Sequence, residues 1–156
     1  IMKKLILIVG KRGNLSFRLS KLIKNSLLIS TEEFINNKYD LKNLENKKIC
    51  LIINSFYPSN KLNHINNHNE YIEQTVSNLV KILDRSKKLN VFKIIYSSSS
   101  SINNLQKTSA TKLETSRDLY ALTKLFCEKL IIKFAKKNKK EFIITRLYNL
   151  FGEKDN

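Results

Sequence analysis

An apolar run that ends in two closely spaced glycines is the feature that most limits how this chain can fold. Residues 4–9 read KLILIV, and Gly10 and Gly13 follow. The sequence of 156 residues contains only three glycines, whereas average usage would give about 11. We therefore predict a buried strand, a tight turn and the start of a helix, with Ser16 as the third small residue. Such a turn lets the backbone approach a pyrophosphate, and the helix adds N–H groups and its positive dipole end.

Short apolar segments alternate with segments of helical periodicity along the rest of the chain. The predicted strands cover residues 4–9, 27–30, 49–54, 91–96 and 142–145, and the predicted helices cover 14–24, 70–89 and 115–137. The stretch 31–46 is polar and predicted to be irregular, and the serine run 97–101 is predicted to be a loop. The alternation indicates a parallel sheet covered by helices on both faces, with ligands beyond the carboxyl ends of its strands.

The net charge of +16 raises the possibility of a nucleic-acid-binding protein. However, lysine is spread along the sequence, and only the run KFAKKNKK at 133–140 is dense, which suits the end of a helix. We therefore expect no nucleic-acid partner. No apolar run is long enough to span a membrane, so we expect no membrane association. Cys50 and Cys127 lie in apolar runs, which is typical of free thiols in a reducing, cytoplasmic compartment.

Two further segments contain side chains suited to proton transfer. In DLYALTKLF, Tyr120 and Lys124 are four residues apart on a predicted helix and share one face. A tyrosine acts as an acid or base when a nearby ammonium stabilises its phenolate. In KIIYSSSSSI, Ser99 places a hydroxyl beyond the end of a predicted strand. The structural alternatives are an amphipathic helix with a surface lysine and an ordinary serine-rich loop.

In this order along the chain, these features resemble the extended short-chain dehydrogenase/reductase superfamily, with its sugar-nucleotide epimerases, dehydratases and reductases. RLYNLFG at 146–152 resembles the R-x-x-N-x-x-G segment of that branch, and YDLKNL at 39–44 resembles its Asp-Leu element. The resemblance covers residues 3–156. It implies a three-layer Rossmann-type α/β fold with a doubly wound parallel sheet. Residues 1–156 would form the NAD(P)-binding domain, and the C-terminal substrate domain of the family would be absent.

The resemblance also implies which residues would hold the cofactor. Gly10, Gly13 and Ser16 would hold the pyrophosphate, and Asp40 would face the adenine. Asn54 and Ser55 stand where the third core strand of the family meets the cofactor. The turn GKRG resembles the basic turn of NADP-using sugar reductases, so we expect NADP, with Arg12 on the 2′-phosphate and NAD as the alternative.

For the chemistry, the resemblance implies Ser99 as the catalytic hydroxyl residue, with Ser98 as a near alternative, and Tyr120 as the acid/base. Lys124 would hold the nicotinamide ribose and favour the tyrosinate, and Asn149 would meet the nucleotide-sugar phosphate. The implied activity is NAD(P)-dependent epimerisation or reduction of a nucleotide sugar without a metal, with a homodimer as the candidate assembly. We expect the isolated chain to be nearly inactive. The alternatives are a non-catalytic NAD(P)-binding regulator and a basic nucleic-acid-binding protein.

Overall fold

The computed structural model describes residues 3–36, 38–54, 65–105 and 116–148. Within these ranges the chain forms five strands and five α-helices, with short 3-10 helices at Leu41–Leu44 and Ile65–Asn67. The strands are β1 (Lys3–Val9), β2 (Ser26–Ile29), β3 (Lys47–Ile53), β4 (Val91–Ser99) and β5 (Glu141–Leu147). The helices are α1 (Asn14–Leu22), α2 (Thr31–Ile35), α3 (His68–Ser86), α4 (Ile102–Leu105) and α5 (Ser116–Lys137). No helix in the described part of the chain is long and apolar enough to cross a membrane.

The five strands form one parallel sheet in the order β2-β1-β3-β4-β5. The direction of winding reverses at β1, which has β2 on one side and β3 on the other. Because parallel crossovers are right-handed, α1 lies on one face of the sheet, and α2, α3 and α5 lie on the other. Contacts of α3 with both α2 and α5 agree with this layering. The predicted doubly wound parallel sheet is therefore confirmed.

The core forms where the apolar faces of the helices meet the sheet. The strands contribute mainly aliphatic side chains, and α3 and α5 pack onto them. Members of the core cluster are Leu7, Val9, Ile29, Ile49, Leu51, Ile53, Val91, Ile94 and Tyr96 from the strands and Leu79, Ile82, Leu83, Cys127 and Ile131 from the helices. Burial of these side chains fixes the positions of β1, β3 and β4 along the strand direction, and therefore determines where their carboxyl ends meet.

The structure differs from the sequence predictions at two places. The stretch 31–46 is not irregular, because Ser30 and Glu33 form a capping box that starts α2, and Asp40 caps a 3-10 helix. The serine run is not entirely a loop, because Ser97–Ser99 pair with residues 145–147 of β5 and extend β4. The sequence did not predict this extension, because buried strands are recognised by their apolar residues and these three positions are all serine.

The turn after β1 depends on the backbone freedom of Gly10. This residue has a φ of 126°, a region that L side chains rarely adopt, while its N–H donates to the carbonyl of Ile29 at 2.9 Å. The Gly13 N–H then donates to the Gly10 carbonyl at 3.1 Å and closes the turn. The chain thereby reverses from β1 into α1 within a few residues.

We predict that Gly10→Ala lowers the free energy of unfolding by about 1–3 kcal/mol, because alanine would be strained at this φ. Gly13→Ala is the matched control. The φ of Gly13 is −87°, and an added Cβ would most closely meet the amide end of Asn54, at 3.2 Å. Urea unfolding of both variants should show the larger loss for Gly10→Ala, and an equal or smaller loss would contradict the assignment of strain to Gly10.

Candidate functional site

The glycine turn and the end of β3 form one side of a crevice at the reversal point of the sheet. The Asn54 N–H donates to the Val9 carbonyl at 2.9 Å, and its side-chain amide donates to the Ser16 hydroxyl at 2.7 Å. Ser16 is fully buried, and Asn54 is nearly so. The carboxyl end of β3 is therefore tied directly to the first turn of α1, at the place where open parallel sheets bind ligands.

The positive end of the α1 dipole is not neutralised by side chains of its own first turn. No acidic residue lies in this turn, and the N-cap, Gly13, has no side chain to accept from the helix N–H groups. A Cβ at Gly13 would lie 3.6 Å from the Gly10 carbonyl oxygen and 3.7 Å from the Ser16 hydroxyl. The absence of a side chain at Gly13 leaves the helix N–H groups open to an anion, which fits the approach of a dinucleotide pyrophosphate.

The acidic residues after β2 are engaged in local contacts. The Glu33 carboxylate accepts from the Ser30 N–H at 2.9 Å, and Glu32 pairs with Lys38 at 2.6 Å. Hydrogen bonding by Lys38 lowers the pKa of Glu32, and the charge of Arg12 adds a smaller lowering. Arg12 is exposed in the glycine turn. The end of β2 therefore presents serine and a nearby guanidinium, with its two carboxylates already bound.

Asp40 lies apart from these contacts. Its carboxylate accepts from the Lys42 N–H at 2.9 Å, and the neighbouring Tyr39 carbonyl accepts from Arg85 at 2.9 Å, near the end of α3. Asp40 and Arg85 line a cavity of about 450 Å³. The contact between Asp40 and adenine stays a prediction. Ser55 and Asn149 lie outside the described residues.

Ser99, Tyr120 and Lys124 are brought together beside the carboxyl end of β4. Ser99 is close enough to hydrogen-bond the Tyr120 hydroxyl, and it also lies 2.8 Å from the Ser101 hydroxyl. Burial raises the pKa of Tyr120, and the Ser99 hydrogen bond opposes that rise. Tyr120 therefore holds its proton at neutral pH. The alternative Ser98 is buried, and its hydroxyl lies on the Glu128 side, where it helps to lower the pKa of that carboxyl.

Lys124 places an ammonium group inside the protein. Its side chain is only 1% exposed, its Nζ donates to the Ser97 carbonyl at 3.3 Å, and it lies 5.3 Å and 5.8 Å from the ring centres of Tyr96 and Tyr120. Burial lowers the pKa of Lys124 to about 7, and the nearby Cys127 and Glu128 oppose this shift. Lys124 is therefore not the surface lysine that the structural alternative required.

An ion pair between the buried Glu128 and the exposed Arg146 connects the helix of Tyr120 and Lys124 to β5. Arg146 donates to both carboxylate oxygens of Glu128, at 3.0 Å and 2.9 Å, and its remaining Nη1 donates to Asn103 at 3.0 Å. Burial alone would raise the pKa of Glu128, but the hydrogen bonds from Arg146 hold it below its usual value. Sequence reasoning missed Glu128, and it singled out Asn103 only as a departure from the family pattern near the substrate pocket. The signal for Glu128 was its position four residues after Lys124, on the same helix face.

Among the described residues, no group of three or more His, Cys, Asp or Glu side chains could hold a metal ion. Cys50 and Cys127 are both free thiols, and Cys127 is buried beside Lys124.

The chain is similar to known proteins of one class. Residues 31–156 match the family model described as the NAD dependent epimerase/dehydratase family. No curated protein matches the sequence.

Solved structures share the fold. A GDP-D-glycero-L-gluco-heptose synthase from Campylobacter jejuni, solved in the presence of NADPH, has a TM-score of 0.71 and 17% identity, covering 100% of this chain and 50% of that one. A GDP-mannoheptose C4 reductase from the same organism, with NADP bound, has a TM-score of 0.71 and 18% identity. The match covers 100% of this chain and 51% of the reductase. The UDP-glucose 4-epimerase of Thermotoga maritima, with UDP-glucose, has a TM-score of 0.68 and 18% identity. The match covers 97% of this chain and 57% of the epimerase. The chain thus spans about half the length of these proteins.

We predict that the burial of Lys124 makes stability depend on pH. Its pKa is about 7 in the fold, whereas a lysine in an unfolded chain has a pKa of about 10.4. Between these values unfolding takes up a proton, so the contribution of Lys124 to stability rises with pH by about 1 kcal/mol per pH unit. Below pH 7 Lys124 is protonated in both the folded and the unfolded state, so its destabilising effect is at its maximum and no longer changes with pH.

The measurement compares urea unfolding of the wild type and Lys124→Met from pH 6 to pH 10. The stability of the variant relative to the wild type should be greatest near pH 6 and should fall as pH rises. Lys129→Met, an exposed lysine of the same helix, is the control and should show no such trend. A difference between Lys124→Met and wild type that stays constant with pH would contradict the buried ammonium.

Proposed function

The chain belongs to the NAD-dependent epimerase/dehydratase family, and from that premise we propose that it serves an epimerase or reductase that moves hydride between a nicotinamide cofactor and a nucleotide sugar. The observation that carries the proposal is the grouping of Ser99, Tyr120 and buried Lys124 beside the crevice that begins at Gly10. A protein that only sensed the cofactor would need the glycine turn but not this grouping of proton-transfer residues.

The residues at the reversal point fit a dinucleotide. Gly10, Gly13 and the first turn of α1, with Ser16 packed beneath it, would hold the pyrophosphate by backbone N–H groups and the helix dipole. Asn54 would shape the crevice from the β3 side. When bound, the nicotinamide supplies or accepts the hydride. By resemblance, Asp40 would contact the adenine and Ser55 would adjoin the cofactor.

Proton transfer falls to Tyr120. Because burial raises its pKa, the phenol carries a proton at neutral pH and can donate it to a sugar oxygen that gains charge during reduction. Ser99 lies within hydrogen-bonding reach of that hydroxyl and would orient the sugar oxygen beside it. In the opposite direction Tyr120 would take the proton back, as an epimerase requires.

Lys124 stabilises the tyrosinate left after the transfer. Its ammonium lies 5.8 Å from the Tyr120 ring centre in a buried setting, where an opposite charge acts strongly. It would also hold the nicotinamide ribose. Glu128 and Arg146 fix the next turn of the helix against β5, and Asn149 follows Arg146 in the segment proposed to meet the nucleotide-sugar phosphate.

We favour epimerisation or reduction over dehydration. Elimination of water from a sugar needs a carboxylic acid/base pair beside the catalytic hydroxyl. The residues that follow Ser99 are Ser100 and Ser101, whose hydroxyls are too weakly acidic for that task.

The engaged acids after β2 support NADP as the cofactor. NAD sites place a free carboxylate near the ribose 2′-hydroxyl, but Glu32 and Glu33 are bound to Lys38 and Ser30. We predict that Arg12→Ala weakens NADPH binding about tenfold or more, through loss of a charge-assisted phosphate contact, and leaves NADH binding unchanged. Arg18→Ala, which removes an exposed charge from α1, is the control in the fluorescence titration. Tighter binding of NADH than of NADPH by the wild type would refute the preference.

The roles of Tyr120 and Lys124 are separable by experiment. We predict that Tyr120→Phe retains NADPH affinity within about twofold and lowers turnover by about 10²–10⁴-fold, the usual contribution of a general acid. Lys124→Ala should weaken NADPH binding about tenfold or more, because it removes a charged hydrogen-bond donor to the ribose. Because the isolated chain is expected to be nearly inactive, turnover is measured in a protein that joins this domain to the substrate domain of the family, as NADPH oxidation with GDP- and UDP-linked 4-keto sugars. NADPH affinity is measured on the chain itself.

Lys129→Ala is the control for both measurements, since Lys129 is exposed on α5. Unchanged NADPH affinity in Lys124→Ala would mean that the ribose lies elsewhere. Full turnover in Tyr120→Phe would exclude Tyr120 as the proton donor.

A further inference from the structure

Lysines that are distant in sequence gather at the edge of the sheet where its strands begin. β1 starts with Lys3 and Lys4, β3 starts with Lys47 and Lys48, and the connections into the other strands are lysine-rich as well. We call this surface the amino edge; its lysines are Lys3, Lys4, Lys24, Lys47, Lys48, Lys87, Lys88, Lys136, Lys137, Lys139 and Lys140. The sequence shows one dense lysine run, at 133–140, but only the fold brings the lysines of the strand starts to the same edge.

Few acidic residues offset this charge. In the described connections and strand starts, the acids at the amino edge are Glu45, Asp84 and Glu141. Asp84 pairs with Lys87 at 2.7 Å, and Glu141 pairs with Lys93 of β4 at 2.8 Å. The amino edge therefore keeps a large positive charge after its own ion pairs are counted.

Helix dipoles explain only part of the arrangement. Lysines near the ends of α3 and α5 are stabilised by the negative dipole end of each helix. The strand lysines lie away from the helix ends: Lys3 is in register with Lys47 and Lys4 with Lys48, whose ammonium lies 4.8 Å from the ring centre of Phe92. Neighbouring strands lie about 4.8 Å apart, and like charges side by side on them destabilise a sheet. The fold thus carries a repulsion that a polyanionic partner would relieve.

The residues between the lysines favour a nucleic acid over a membrane. Asparagines stand beside them at Asn25, Asn46, Asn90 and Asn138, and amide groups are common donors to phosphate and sugar oxygens. Membrane-surface binding pairs basic residues with apolar side chains that insert among the lipids. Among the large apolar side chains that the described residues expose, only Leu22 adjoins these connections.

We propose that the amino edge binds a nucleic acid through its phosphates, without reading its sequence. Lysines act as point charges on the backbone, and the edge offers no arginine cluster suited to bidentate contacts with bases. A five-stranded sheet is about 20 Å wide, so the edge is broad enough to lie along several base pairs of a duplex. The site lies at the end of the sheet opposite the glycine turn and is independent of the proposed cofactor.

The test is fluorescence anisotropy of a short labelled duplex DNA titrated with the protein at several salt concentrations. The wild type should bind with micromolar affinity at low salt, and log K should fall linearly with log salt. Lys4→Gln/Lys48→Gln should weaken binding at low salt about fivefold or more and reduce the salt slope by about two. Lys81→Gln/Lys129→Gln, exposed on α3 and α5, makes the same charge change and should leave the slope as in wild type.

Three outcomes would overturn the proposal. Equal losses in the two double variants would mean that net charge alone attracts DNA. Displacement of the duplex by excess NADPH would place the binding at the glycine turn. Stronger binding to phosphatidylglycerol vesicles than to DNA at the same salt would identify a membrane surface. Urea unfolding of both double variants checks that each is folded under the titration conditions, so that a loss of binding reports on the amino edge.

Discussion

The pairing of β1 on both sides is the constraint on which the rest of this structure depends. β1 bonds to β2 through residues 6–9 and to β3 along its entire length. A strand held in this way cannot bend, so the chain must reverse immediately after Val9, and Gly10 permits this with a φ that other residues avoid. The same pairing leaves a crevice above β1, and Asn54 closes one wall of it through Ser16. The ligand-binding position is thus a consequence of strand order.

Beside that crevice, the fold tolerates a buried ammonium. Burial of Lys124 disfavours its charged form, as its lowered pKa records. Two features reduce the cost: the Ser97 carbonyl accepts from its Nζ, and the face of the Tyr96 ring lies 5.3 Å away. Glu128 contributes a nearby negative charge, and Arg146 keeps that carboxylate ionised and fixed. Interactions across α5, β4 and β5 are therefore needed to hold one lysine beside Tyr120.

Sequence reasoning located what depends on local pattern and failed where contacts between distant segments decide. The five strands were predicted from short apolar runs, and the helices from the segments of helical periodicity between them. Tyr120 and Lys124 were placed together because residues four apart share a helix face. The capping box at Ser30, the strand character of Ser97–Ser99 and the Glu128–Arg146 pair were not predicted. The last two exist only because β5 pairs with β4 and packs against α5.

The grouping of the lysines at the amino edge also depends on contacts between distant segments. Together with the helix dipoles, these lysines give the two edges of the sheet different electrostatic properties. In a parallel sheet with crossover helices, every helix points its positive end toward the carboxyl edge and its negative end toward the amino edge. At the carboxyl edge, the backbone N–H groups of the glycine turn and the α1 dipole contribute a positive potential, beside the exposed Arg12. At the amino edge the dipoles are negative, and the lysines more than compensate for them. Because exposed side chains rather than fixed backbone carry that second charge, it is diffuse and screened by salt. The proposed cofactor site and the proposed nucleic-acid surface would thus take phosphate groups at opposite edges of the sheet, one through fixed backbone groups and the other through exposed lysines.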